Sequence, residues 1–168
     1  GIEYDADPGH AGLVIQQLGL QAAKGVATPG AKAEGTTKGD CATPLGEYKA
    51  SGYCATTARL NHLAQDRPDI ASGVKELSRS MSVFAEGCWG KLKRLGRYLV
   101  SNPGVTGKYM LKRSPEKVTV YTDAGWAGCK ITRKPTSGGC IMFGEHLIKT
   151  WSKTQRPTAL RSAESEWY

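Results

Sequence analysis

No stretch of this 168-residue sequence is apolar for long enough to cross a bilayer, and none reads as a secretory h-region. No membrane partner is therefore expected. The five cysteines (Cys41, Cys54, Cys88, Cys129 and Cys140) form no C-x-x-C pair. Their odd number and scattered spacing exclude a zinc site and a disulfide framework, so they read as reduced, intracellular packing residues. Histidine is scarce. His10, His62 and His146 are mutually remote, with no Cys or Asp at ligand spacing, so no metal or nucleophile-activating role is expected of them. There is no G-x-S-x-G, no P-loop and no dinucleotide fingerprint.

Acid is also short. The chain has 15 Asp+Glu against 23 Lys+Arg, for a net charge of +8. The imbalance is local. Residues 1–83 carry 8 basic and 9 acidic side chains, residues 84–117 carry 8 and 2, and residues 118–168 carry 7 and 4. The middle and C-terminal thirds thus suit a polyanion, although a solvated, solubilising face satisfies the same counts. The 39% hydrophobic content is ordinary for a globular chain, and 21 glycines imply many turns.

Ile2-Glu3-Tyr4 reads as a strand, and its position at the very start predicts a piece of a longer protein. Asp7-Pro8 then gives an N-cap and a first-turn proline. Leu13, Val14 and Leu18 step at helical spacing, and Gly19 is a C-cap candidate. Residues 31–46, rich in Gly, Thr and Lys, read as a linker. Three helical patterns follow, over about 47–64, 69–81 and 84–100. The first has a stripe of Tyr53, Thr56, Leu60 and Leu63 that the threonine weakens. The second uses Ile70, Val74, Leu77 and Met81. The third uses Cys88, Leu92, Leu95 and Leu99.

On that third helix Lys91, Lys93, Arg94 and Arg97 lie outside the apolar stripe, with no acid within four positions. Each like-charge pair costs a few tenths of a kcal/mol in isolation, roughly, and a phosphate backbone along the face would reverse the sign. A solvated basic face is the alternative.

The last 51 residues carry the chemistry. Val118–Thr122, Gly139–Phe143 and Leu147–Trp151 read as strands separated by short turns, hence an antiparallel meander. The first strand delivers Asp123 ahead of Gly125 and Gly128, which allow close approach of a ligand. Ser162 is placed to cap a last helix that carries Glu164 and Glu166. Each acid has an ordinary explanation: an Asx turn for Asp123, and a helix-dipole role that suits Glu164 better than Glu166. The order is more specific. An Asp-bearing strand, two more strands and a Glu-bearing helix within 43 residues is what a hydrolase needs to hold divalent metal against a phosphodiester. Trp126, close to Asp123, is a core or surface anchor or a base-stacking platform.

The motifs Y-T-D-A-G-W-A-G, R-K-P-T-S-G-G, W-S-K-T-Q and S-A-E-S-E-W-Y resemble the ribonuclease H region of copia-type retrotransposon polyproteins. L-A-Q-D-R-P-D-I and W-x-x-L-K-R-x-x-R-Y-L resemble the helical segment between polymerase and ribonuclease H in that family. Gly1-Ile2-Glu3-Tyr4 and L-G-L-Q-A-A-K-G-V-A-T-P resemble the end of the reverse transcriptase palm and its thumb. The likeness covers nearly the whole chain and is weakest over 31–46.

The resemblance implies an α+β fold. Residues 1–30 would end the palm and thumb, 31–46 would link, and 47–113 would form a helical connection. Residues 117–168 would form the N-terminal half of a ribonuclease H-like domain, a three-stranded antiparallel meander and the start of a helix. Asp123 and Glu166 would be catalytic metal-binding carboxylates for two Mg²⁺ or Mn²⁺ ions. Lys91, Lys93, Arg94, Arg97, Arg133 and Lys134 would contact an RNA–DNA hybrid. The partners would be that hybrid and the rest of the polyprotein, in a cytoplasmic particle or the nucleus. The family's further acids would lie beyond Tyr168 and the polymerase aspartates before Gly1, so this chain alone is expected to be inactive. Gly125 and Arg161 depart from the family's usual Asp and Ser, which hints at a divergent copy. A non-catalytic nucleic-acid-binding module and an inert mobile-element relic remain open alternatives.

Overall fold

The computed structural model describes residues 1–30, 46–81, 86–111, 117–126 and 132–167. It is a mixed α+β structure that divides into two compact units, Tyr4–Gly107 and Gly1–Glu3 with Lys108–Tyr168. The expected linker, apart from Gly46, lies outside the described residues, as do Gly128, Cys41 and Cys129.

The unit Tyr4–Gly107 is built on four helices: α1 (Pro8–Gln17), α2 (Glu47–Leu63), α3 (Pro68–Arg79) and α4 (Glu86–Ser101). Asp7 caps α1, its Oδ1 accepting from the Gly9 amide at 2.7 Å, with Pro8 in the first turn. At the other end Gly19 takes φ +64°. Its N–H reaches Gln16 O and that of Leu20 reaches Ile15 O, which closes the helix by the left-handed route glycine permits. Most of the apolar stripes read from sequence become the core, although Leu13 is exposed and Met81 only half-buried at its edge. Val14, Leu18, Tyr53, Leu60, Leu63, Ile70, Val74, Leu77, Cys88, Leu92, Leu95 and Leu99 are all buried in one cluster. Thr56, expected to weaken its stripe, is buried because its hydroxyl donates to Gly52 O at 2.8 Å on the preceding turn. The Tyr53 phenol donates to Leu77 O at 2.8 Å, tying α2 to the end of α3; burial and the nearby Cys88 push its pKa well up.

In the second unit β3 (Val118–Gly125), β4 (Thr136–Phe143) and β5 (His146–Thr154) form an antiparallel sheet in the order β3-β4-β5, followed by α5 (Ser162–Trp167). A register irregularity falls at Ile141/Met142. All three strands run longer than their apolar cores suggested, because Thr, Ser and Gly extend the pairing past the hydrophobic residues. Gly139 is required: a Cβ there would collide with the Tyr121 carbonyl and the Trp151 ring that lies across it. His146 is buried and packs on Tyr109, its Nε2 within 3.0 Å of Met110 O. The short strands β1 (Ile2–Asp5) and β2 (Thr106–Tyr109) pair as a two-stranded ribbon.

Candidate functional site

Asp123 lies near the C-terminal end of β3, exposed, with Gly138 opposite it on β4 and Ser152 beyond on β5. Cross-strand partners share a face, so a glycine beside Asp123 leaves that patch of sheet without a side chain. The Asp123 carboxylate accepts no hydrogen bond among the described residues, so the Asx-turn explanation is not the one the structure adopts.

Glu166 is brought to the same strand end. Its Oε1 accepts from the Ala124 amide at 3.3 Å. Two covalent bonds separate that nitrogen from the Asp123 Cα, which places the Glu166 oxygen no more than about 6 Å from it. Oε2 makes no hydrogen bond among the described residues. Glu164 does what a first-turn acid is expected to do: its Oε2 accepts from the Leu160 amide at 2.7 Å. The two acids of A-E-S-E are thus separated by role.

What holds Glu166 there is a residue the sequence reading passed over. Gln155 is buried, and its Nε2 donates to Ser137 Oγ at 2.7 Å and to the Ser165 carbonyl at 2.6 Å. It therefore ties β4 to the residue before Glu166. Ser162, expected to cap α5, is instead its first residue, and its carbonyl accepts from the buried Ser165 hydroxyl at 2.6 Å.

Trp126 follows Asp123 by three residues. Its Nε1 donates to Ala159 O at 3.0 Å, and the Arg133 guanidinium carbon lies 5.6 Å from its ring centroid. Lys134, next to Arg133, is half-buried, its amide 3.4 Å from Thr132 Oγ1.

The remaining basic candidates belong to the helical unit and divide in two. Lys91 and Lys93 are exposed on α4. Arg94 and Arg97 are half-buried and engaged within the chain: Arg94 donates to Thr28 Oγ1 at 2.9 Å and Arg97 Nε to Lys24 O at 2.7 Å. All four lie off the apolar stripe, as the sequence predicts, but residues 24–28 fold back over two of them.

The histidines require a correction. His10 and His62 are not remote: their rings stack with centroids 4.9 Å apart, and His10 Nδ1 bonds Asp7 at 2.6 Å. Packing of α1 beside α2 causes this. Stacked rings present faces to each other and not converging lone pairs, and no cluster of three or more His, Cys, Asp and Glu suited to a metal occurs among the described residues.

The donors at the β3 end do fit a hard divalent cation in kind: two carboxylates, both with free oxygens among the described residues. No helix among the described residues is long and apolar enough to cross a membrane.

A unit of four helices and a unit built on a three-stranded antiparallel sheet define an α+β protein of the kind the motifs implied. The chain is 31% identical to the retrovirus-related Pol polyprotein from transposon RE2 of Arabidopsis thaliana over 92% of its length, which is 10% of that polyprotein. It is 35% identical to that from transposon RE1 of the same plant, over 68% of this chain and 8% of the relative. A shorter relative is the secreted RxLR effector protein 161 of Plasmopara viticola, 37% identical over 60% of this chain and 70% of the effector. The chain belongs to the family of retrovirus-related Pol polyproteins of copia-type transposons. It spans about a tenth of the length of the first two polyproteins it matches. No protein-family model matches it, and no solved structure does.

Proposed function

We propose that this chain comprises the end of reverse transcriptase, the connection segment and the N-terminal part of ribonuclease H, in a polyprotein that copies RNA into DNA and hydrolyses the RNA strand of the hybrid. The observation that carries the reading is the Glu166 carboxylate held on the Ala124 amide, one residue from Asp123. That bond brings two acids 43 positions apart to one strand end, and metal-assisted phosphodiester hydrolysis would need their carboxylates to converge there. Asp123 and Glu166 would hold Mg²⁺ or Mn²⁺, which when bound supplies Lewis-acid polarisation and an activated water. Gln155 orients α5, and the open sheet beside Gly138 leaves room for a phosphodiester. The segment alone carries two carboxylates of a larger expected set and is expected not to cleave.

The test is a chain extended past Tyr168. It should cut the RNA strand of a hybrid only with Mg²⁺ or Mn²⁺, and Asp123→Asn or Glu166→Gln should each abolish cleavage while leaving hybrid binding intact. Cleavage that survives both substitutions would sink the assignment. The exposed Lys91 and Lys93 favour a second reading, a non-catalytic module for nucleic acid. There the extended chain would bind hybrid, lose affinity steeply with salt and cut nothing.

A further inference from the structure

We propose that Arg133 and Trp126 form a preassembled phosphate grip at the rim of the paired-carboxylate site. It would take a nucleic-acid phosphate a few nucleotides from the one facing Asp123 and Glu166. The proposal rests on the functional reading above and adds the residues that would fix the register of the strand.

Three observations converge. Arg133 is the one non-glycine with a positive φ among the described residues, at 56°. L side chains reach that region only at a cost, and such residues persist where their surroundings over-determine them. The guanidinium carbon stands 5.6 Å from the Trp126 ring centroid, within the range of a cation–π contact. The indole is itself fixed, since Nε1 donates to Ala159 O at 3.0 Å. The ring is therefore anchored to the segment that leads into α5, while the chain that carries it runs directly from Asp123.

The contact engages the charge of Arg133 and not its donors. Among the described residues the guanidinium makes no ion pair or hydrogen bond, so its planar fork remains available for two oxygens of one anion. A long arginine side chain ordinarily loses rotamer freedom when it binds, and stacking on a fixed ring removes part of that cost beforehand. Phosphate is the fitting anion because its oxygens match the fork bidentately. Trp126 is three residues from Asp123, at most about 11 Å along the backbone. Adding the reach of the indole and the 5.6 Å to the guanidinium puts the gripped phosphate several nucleotides from the carboxylates, since a strand in a duplex presents a phosphate every 3.4 Å or so along the axis.

Binding of a fluorescein-labelled RNA–DNA hybrid to the 168-residue chain, followed by anisotropy across a salt series without divalent metal, tests this. Arg133→Ala should weaken binding about fivefold or more and lower the slope of log affinity against log salt by about 0.9, one phosphate's worth. Trp126→Ala should cause a comparable loss, and the double variant should lose no more than the larger single, because the two act as one unit. Arg133→Lys should keep the slope but bind more weakly, having lost the fork. Trp126→Phe, which keeps a ring face, guards against misfolding of the alanine variant and should retain most of the affinity. Unchanged affinity and slope in Arg133→Ala, with the parent chain binding normally, overturns the grip and leaves the functional reading standing. So does additive loss in the double variant. A parent chain that binds no hybrid overturns both.

Discussion

Arg67 heads the fully buried side chains by volume among the described residues, and it shows how much one residue can do out of sight of its sequence context. It stands at the N-cap of α3, in the gap the sequence leaves between helical patterns ending near 64 and starting near 69. Its guanidinium takes both oxygens of Asp69, at 2.9 and 2.7 Å, and donates to Asn102 O at 3.0 Å. Asp69 in turn accepts from the Tyr98 hydroxyl at 3.0 Å. Arg67→Ala should destabilise the helical unit by about 3 kcal/mol, because a half-buried carboxylate and a carbonyl lose their partner together. Urea unfolding would measure this, and a loss below about 1 kcal/mol would show the clamp to be dispensable. Burial raises the Asp69 carboxyl, but the hydrogen bonds and charge of Arg67 outweigh it and hold the group below its ordinary value. Its contribution to stability is thus fully present above the unfolded pKa, about 3.9, and is lost as pH falls through the lower folded value. Asp69→Asn should flatten the part of the stability–pH curve below about pH 4.

At the scale of elements, the helices were legible because their apolar residues recur at three and four. Ile70, Val74, Leu77 and Met81 were read as one face, and the first three are buried while Met81, past the end of α3, is half-buried. Local chemistry also announced the start and end of α1, since Asp7, Pro8 and Gly19 act within a turn of where they stand. Strand lengths were less legible. Gly138, Ser137 and Thr136 look like turn residues, yet they pair with Asp123, Ala124 and Gly125 across the sheet. The partner strand decides such positions, and intrinsic preference does not. The two adjacent glycines of β4 should therefore respond differently to a methyl group. Gly139→Ala meets a backbone carbonyl and an indole and should cost about 2 kcal/mol by displacing β3 from β4. Gly138→Ala meets only Trp151 O, at 3.6 Å, and should change the thermal midpoint little. Equal midpoints for the two variants would refute the packing argument.

For the molecule as a whole, the basic charge counted in sequence is not all at a partner's disposal. Lys91 and Lys93 are exposed, whereas Arg94 and Arg97 hold residues 24–28 against α4. Replacing Lys91 and Lys93 together with alanine should reduce the salt slope of hybrid binding by about 1.8 with little effect on folding. Arg97→Ala should act in reverse order, lowering stability first, because it leaves the Lys24 carbonyl without its donor. Anisotropy and urea unfolding on the same variants separate the two effects, and identical behaviour of Lys91 and Arg97 variants would contradict the division.

The amino-acid order alone determined most elements, β2 (Thr106–Tyr109) excepted, together with the helical core stripes apart from Leu13 and the family, because periodicity, caps and motifs are local signals. It also named Asp123 and Glu166 as candidates. Tertiary structure decided which acid does what: Glu166 reaches the Ala124 amide while Glu164, two residues earlier, turns back to Leu160. It likewise decided that Gln155 anchors α5, that His10 meets His62, and that Arg94 and Arg97, two of the six basic candidates, are spent inside the fold. Those outcomes depend on contacts between residues distant in the chain, and no window of sequence contains them.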